Sequence, residues 1–208
     1  MPNWCDNNIT IRGKAQDINA IYQQCLKDDV DLCEAVKPVP KDLDITAGRL
    51  GDEVEQKALE AKEQANLEKY GHKNWYDWCV NNWGTKWDLC DANYEYEDAG
   101  EGEAQLVIDC QTAWGPPIAI YEHLQSKDYY VHATYHEGGM GFAGIWEDGH
   151  DDQYSYGDMS IAEVKARIPE DLDEQYGISE WMEENQEEEE LSTWMQEGAE
   201  AKKEATNG

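Results

Sequence analysis

Within its first 26 residues the chain switches its apolar period from two to 3.6, and this switch constrains the fold more than any other feature. Cys5, Asn7, Ile9 and Ile11 alternate against Asp6, Asn8 and Thr10, which predicts a half-buried strand over 5–11 that Arg12-Gly13 ends. Ile18, Ile21, Tyr22, Cys25 and Leu26 then fall at i, i+3, i+4, i+7 and i+8, the spacing of an amphipathic helix ending near Asp28. A strand followed directly by a helix is the first unit.

Val36-Lys37-Pro38-Val39-Pro40 reads as a linker, because two prolines remove backbone donors and push their predecessors extended. Residues 51–70 are rich in Ala, Glu and Lys, with Val54, Ala58, Ala61 and Ala65 as a thin apolar stripe, so a mostly solvated helix is expected. From Asn74 to Trp87 there are four tryptophans in 14 residues, with Trp75, Trp78 and Cys79 at helical spacing and Gly84 as a C-cap. Two readings stand for these rings: anchors that fasten an insertion (35–86) to the core, with Trp83 and Trp87 mostly buried, or an aromatic ligand pocket.

Residues 87–96 and 104–111 form the next two strands, joined across Asp98-Ala99-Gly100-Glu101-Gly102. Pro116-Pro117 opens a helix carrying Ile120, Tyr121 and Leu124, and residues 129–136 alternate as a further strand. The order βαββαβ predicts an α+β fold, the ferredoxin-like split βαβ antiparallel sheet with helices on one face. A helical insertion follows the first helix. Gly138 to Trp146 and Gln153 to Tyr156 offer further strands that would partly cover the other face. The expected division is a core over 1–146 and an acidic helical C-terminal extension over 147–208.

Charge singles out that extension. The chain holds 46 Asp and Glu against 16 Lys and Arg, a net −30, and residues 147–208 contribute −16 of it. Such self-repulsion costs stability, keeps a chain off nucleic acid and steers it toward basic surfaces. The 9 Trp and 12 Tyr nevertheless imply a folded chain, since disordered acidic segments lack them. Met1-Pro2-Asn3-Trp4 lacks the marks of a leader and no stretch approaches the length of a membrane span, so a cytoplasmic protein with no membrane partner is expected. The cysteines at 5, 25, 33, 79, 90 and 110 form no CxxC pair and read as reduced, buried apolar residues, with no metal and no cofactor expected.

Met1-Pro2-Asn3-Trp4-Cys5 with Asn8, Trp75-Tyr76-Asp77-Trp78-Cys79, the run Asn82-Trp83-Gly84-Thr85-Lys86-Trp87-Asp88, and Thr112-Ala113-Trp114 with Pro116-Pro117 occur in this order. Together they resemble the YubB-type ferredoxin-like family of phages and conjugative plasmids over roughly residues 1–146. The resemblance implies a ferredoxin-like core in an accessory protein of a mobile element, and it implies no activity. The acidic region after Glu147 lies outside the shared pattern.

Other candidate chemistry is sparse. His132 and His136 share a strand face, yet an i, i+4 spacing on a strand separates them by roughly 13 Å, too far for one metal. Gly138-Gly139-Met140-Gly141-Phe142-Ala143-Gly144 lacks the Lys-Ser/Thr of a phosphate loop and the aromatic pairs of an RNA-binding strand, which leaves a tight hairpin. An enzyme would have to use the polar face of Asn8, Thr10, Asp109, Gln111, His132 and His136. In the tail, Ile178, Trp181 and Met182 point opposite to Leu191, Trp194 and Met195 on one straight helix, so one patch should meet a second surface or the helix should bend near Asn185.

The functional expectation is a non-enzymatic inhibitor from a phage or plasmid, an anti-defence protein whose carboxylates imitate nucleic-acid phosphates. It would block a host protein, such as a defence nuclease, that has a basic nucleic-acid-binding surface. DNA carries one negative charge per roughly 1.7 Å of axis, so the imitation needs a dense array. The residues expected to meet the partner are Asp151, Asp152, Glu170, Asp171, Asp173, Glu174, Glu183, Glu184, Glu187, Glu188, Glu189 and Glu190, with Trp181, Trp194 and Met195 as apolar anchors. The alternatives are an assembly adaptor that forms a homo-oligomer through its C-terminal helix, and a small enzyme working on the polar sheet face.

Overall fold

The computed structural model describes residues 3–27 and 30–188, so Glu189, Glu190, Leu191, Trp194 and Met195 lie outside the described residues. The chain divides into two units after Gln153 rather than after Trp146. The boundary falls later because β5 (Phe142–Glu147) and β6 (His150–Ser155) continue the sheet. They extend its edge instead of folding across its open face as expected.

The first unit is α+β, with a six-stranded antiparallel sheet in the order β2-β3-β1-β4-β5-β6. Strand β1 (Trp4–Lys14) lies between β3 (Glu103–Ala113) and β4 (Tyr130–Glu137), antiparallel to both, and β2 (Cys90–Gly100) pairs with β3 as a hairpin. Each helical crossover, from β1 to β2 and from β3 to β4, leaves one strand between its ends. The register sets Ile9 against Ile108 and Ala133, and Ile11 against Leu106 and Val131. All six are buried, each large side chain contributing about 1.5–3 kcal/mol. Helices α1 (Ala15–Cys25) and α5 (Ile118–Gln125) supply Ile18, Ile120, Tyr121 and Leu124 to the same core, and Tyr121 packs on Trp146 with ring centroids 5.4 Å apart.

The segment between α1 and β2 holds α2 (Leu32–Val36), a 3-10 turn (Lys41–Leu43), α3 (Glu53–Tyr70) and α4 (Trp75–Asn82). Asp52 caps α3 by accepting the Val54 and Glu55 N–H groups at 2.8 and 2.9 Å, and Gly71 closes it at φ 74°. This helix is largely solvated, as expected, but not on the expected side. Val54, Ala58, Ala61 and Ala65 are exposed, and the inward line is Gln56, Leu59, Glu63, Asn66 and Tyr70. The buried Asn66 amide donates to Asp42 O at 2.9 Å and Lys73 O at 3.0 Å, so a polar residue serves where an apolar stripe was expected.

Pairing of β2 begins at Cys90, not at residue 87, because Asp88 turns toward α2 and an irregularity between Cys90 and Asn93 places Asp91 at φ 49°. Trp83 is buried as expected, whereas Trp87 is 37% exposed, which corrects the expectation for that ring. At the β4–β5 turn the buried Glu137 carboxylate accepts the Gly139 and Met140 N–H groups at 2.8 and 2.7 Å, which explains the glycine run as a latched hairpin. A Cβ on Gly139 would come within 2.6 Å of the Asn3 side chain.

In the second unit, Ser160 and Glu163 form a capping box on α6 (Ile161–Arg167), and α7 (Glu170–Tyr176) ends at Gly177 with φ 59°. The chain is helical again over 178–188. Val164, Leu172 and Ile178 are buried.

Candidate functional site

The expected partner-facing carboxylates are in most cases free to meet one. Asp151, Asp152, Glu170, Asp171, Glu174, Glu183, Glu184, Glu187 and Glu188 are all exposed. Asp173 is the correction: it is buried and accepts the Ser179 N–H at 2.7 Å, joining the end of α7 to the next helix. Asp151 accepts the Tyr135 hydroxyl at 2.5 Å, and burial followed by this bond pushes the phenol pKa up. Glu183 takes Lys165 at 2.6 Å. A second lysine–carboxylate pair, Lys69–Asp42, lies in the first unit. Trp181 is 58% exposed while Ile178 is buried and Met182 half-buried, so the first tail cluster does not face one way.

The polar sheet face exists as expected. The register places Asn8 beside Asp109 and Thr134, Thr10 beside His132, and Asp6 beside Gln111 and His136. Its groups largely satisfy one another: Asn8 Nδ2 donates to Asp109 at 2.6 Å, Gln111 Nε2 to Asp6 at 2.8 Å and Arg12 to Gln105 at 2.9 Å. Burial holds the His136 imidazole below its ordinary pKa against the pull of Asp6 and Glu137. Among the described residues no group of three His, Cys, Asp or Glu side chains is placed to hold a metal ion. Burial also pushes the Cys5, Cys25 and Cys79 thiols up to about 12, which keeps them protonated and poor nucleophiles.

The tryptophan-rich run proves to be a set of fasteners. Asn82 Nδ2 donates to Trp78 O at 3.0 Å, and the Trp83 indole N–H donates to Lys37 O at 2.8 Å. Gly84, at φ 86°, lets the chain pass so close to α5 that a Cβ would sit 3.1 Å from Ile118 N. Buried Thr85 donates to Ala113 O at 3.1 Å. Asp88 accepts the Cys33, Glu34 and Leu89 N–H groups at 2.8–2.9 Å, two of them at the first turn of α2.

Two members of the run are left over; the sequence reading offered an aromatic ligand pocket here but did not include Lys86, Trp114 or Trp4 in it. Lys86 Nζ lies 4.2 Å from the Trp87 ring centroid, 5.5 Å from that of Trp114 and 6.0 Å from that of Tyr76. Trp4 adds a fourth ring, 6.2 Å from Trp87. Trp114 is 45% exposed and sits at φ 75°, a left-handed conformation costing a bulky residue roughly 1–3 kcal/mol. Its surroundings hold it there: its N–H donates to Asn3 O at 2.9 Å, Thr112 Oγ1 donates to Gly115 O at 2.8 Å, and buried Asn7 donates to Thr112 Oγ1 at 2.9 Å. The signal in the sequence is that three separate segments, around Trp4, Trp87 and Trp114, carry tryptophan.

No family model and no curated protein matches the chain. Among solved structures it is similar to Api92 from Yersinia pseudotuberculosis, described with the family model DUF1281, at 13% identity and a TM-score of 0.41, covering 76% of this chain and 99% of that one. No described helix is long and apolar enough to cross a membrane.

Proposed function

We propose that the protein is a non-enzymatic inhibitor, an accessory protein of a phage or plasmid with a YubB-type ferredoxin-like core, acting in the host cytoplasm. Its carboxylates stand in for nucleic-acid phosphates and occupy the basic surface of a host nucleic-acid-binding or defence protein. The ferredoxin-like reading is supported by the strand order, in which β3 and β1 lie between β2 and β4 and each helical crossover skips one strand. The functional reading rests on one observation: in a chain of net −30, two lysine–carboxylate pairs form among the described residues, and nine of the carboxylates expected to face a partner are on the surface. A fold has no use for that arrangement, whereas a partner with complementary charge does, through steering and register.

The test is capture from host lysate on the immobilised chain, eluted by a salt gradient or by duplex DNA. Proteins that DNA displaces, and that leave steeply with salt, support the reading. Capture of nothing that DNA competes for sinks it. A second reading, an assembly adaptor, is favoured by Trp181, which is 58% exposed beside a half-buried Met182. Sedimentation separates the two, since an adaptor forms a homo-oligomer that Trp181→Ser weakens.

A further inference from the structure

Apart from the acidic surface, the first unit carries a patch of the opposite character. Tyr76 comes from α4, Lys86 and Trp87 from the turn before β2, and Trp114 from the turn after β3. No carboxylate lies within ion-pair distance of Lys86 among the described residues, although the chain holds 46 of them. Three rings surround the ammonium instead. Rings favour the cation by their quadrupole but accept none of its three N–H donors in the way an oxygen does. The rings are also costly to leave in water, and Trp114 is held in a strained backbone to present its face.

We propose that Tyr76, Lys86, Trp87 and Trp114 bind a planar aromatic ring that carries an anionic group. The anion accepts from Lys86 Nζ, and the ring stacks on the exposed face of Trp114. The site is independent of the acidic-mimic reading, and the two depend on salt in opposite directions. Beyond roughly 8 Å at physiological ionic strength the chain's other charges are screened, so salt relieves the repulsion of an anion by the remaining carboxylates. Binding here strengthens from low to physiological salt, whereas capture of a basic protein weakens.

Two sources share this chemistry: a nucleotide, with base and phosphate, and an aromatic carboxylate such as the C-terminal residue of a peptide. Adenosine monophosphate and N-acetyl-phenylalanine are titrated into the full chain, with adenosine and N-acetyl-phenylalanine amide as their uncharged counterparts, by tryptophan fluorescence and calorimetry. The expected result is a Kd below about 1 mM for at least one acid, roughly tenfold weaker for its uncharged counterpart. Which acid binds identifies the source. Trp114→Gly, which relieves the positive φ while removing the ring, and Lys86→Gln, at a half-buried position, should each weaken binding about tenfold with the thermal midpoint held or raised. The proposal is overturned if neither acid binds at about 5 mM, if the uncharged counterparts bind equally, or if both variants bind like the parent.

Discussion

The tryptophan-rich run 82–88 and the acidic run 183–188 are both dense in chemical groups, and they use them in opposite ways. In the first, five of seven residues close onto the protein: Asn82, Trp83, Gly84 (its N–H to Cys79 O at 3.3 Å), Thr85 and Asp88 each meet a backbone group within hydrogen-bonding reach. In the second, Glu183 pairs with Lys165, and Glu184, Glu187 and Glu188 stand exposed. A distinctive run can be distinctive because the fold needs it. Function is then to be sought in the members the fold leaves over, which here are Lys86 and Trp87, and in surfaces the fold does not use.

Substitutions in the two runs should differ in their effects. The largest effect is expected for Trp83→Ala, which empties a buried site and orphans Lys37 O, costing about 3–5 kcal/mol in chemical denaturation. Asp88→Ala removes the acceptor of three backbone donors and should cost about 2–3 kcal/mol by the same measurement. Trp87→Ala, only one residue away but 37% exposed, should cost about 1 kcal/mol or less. A loss for Trp87 equal to that for Trp83 would show that the run is uniformly structural. The smallest effect belongs to Glu187→Gln with Glu188→Gln, which should leave the thermal midpoint unchanged or slightly raised by relief of like-charge repulsion.

Period-two alternation made β1, β3 and β4 legible, because Ile9, Ile11, Leu106, Ile108 and Val131 are apolar on the face that the register buries. The polar sheet face was legible for the same reason, as the complement of that pattern. The start of β2 was not, since Asp88 is spent on the N-terminus of α2, a contact 55 residues away that no local pattern encodes. The buried side of α3 was misread because Asn66 is satisfied by two carbonyls, which hydropathy does not register. The Lys86 platform needed the register that sets Trp4 against Ala113 before its rings came together. Composition marked the acidic surface, but the capture of Asp173 by Ser179 N–H depended on the left-handed turn at Gly177.

The acidic helical stretch is proposed to serve a partner and not the fold. The direct measurement pairs thermal melting with DNA-competed capture from host lysate for the chain carrying Glu183→Gln, Glu184→Gln, Glu187→Gln and Glu188→Gln together. The expected result is a midpoint equal to or above the parent's and a loss of most DNA-competed capture. A midpoint lowered by several degrees with capture intact would contradict it.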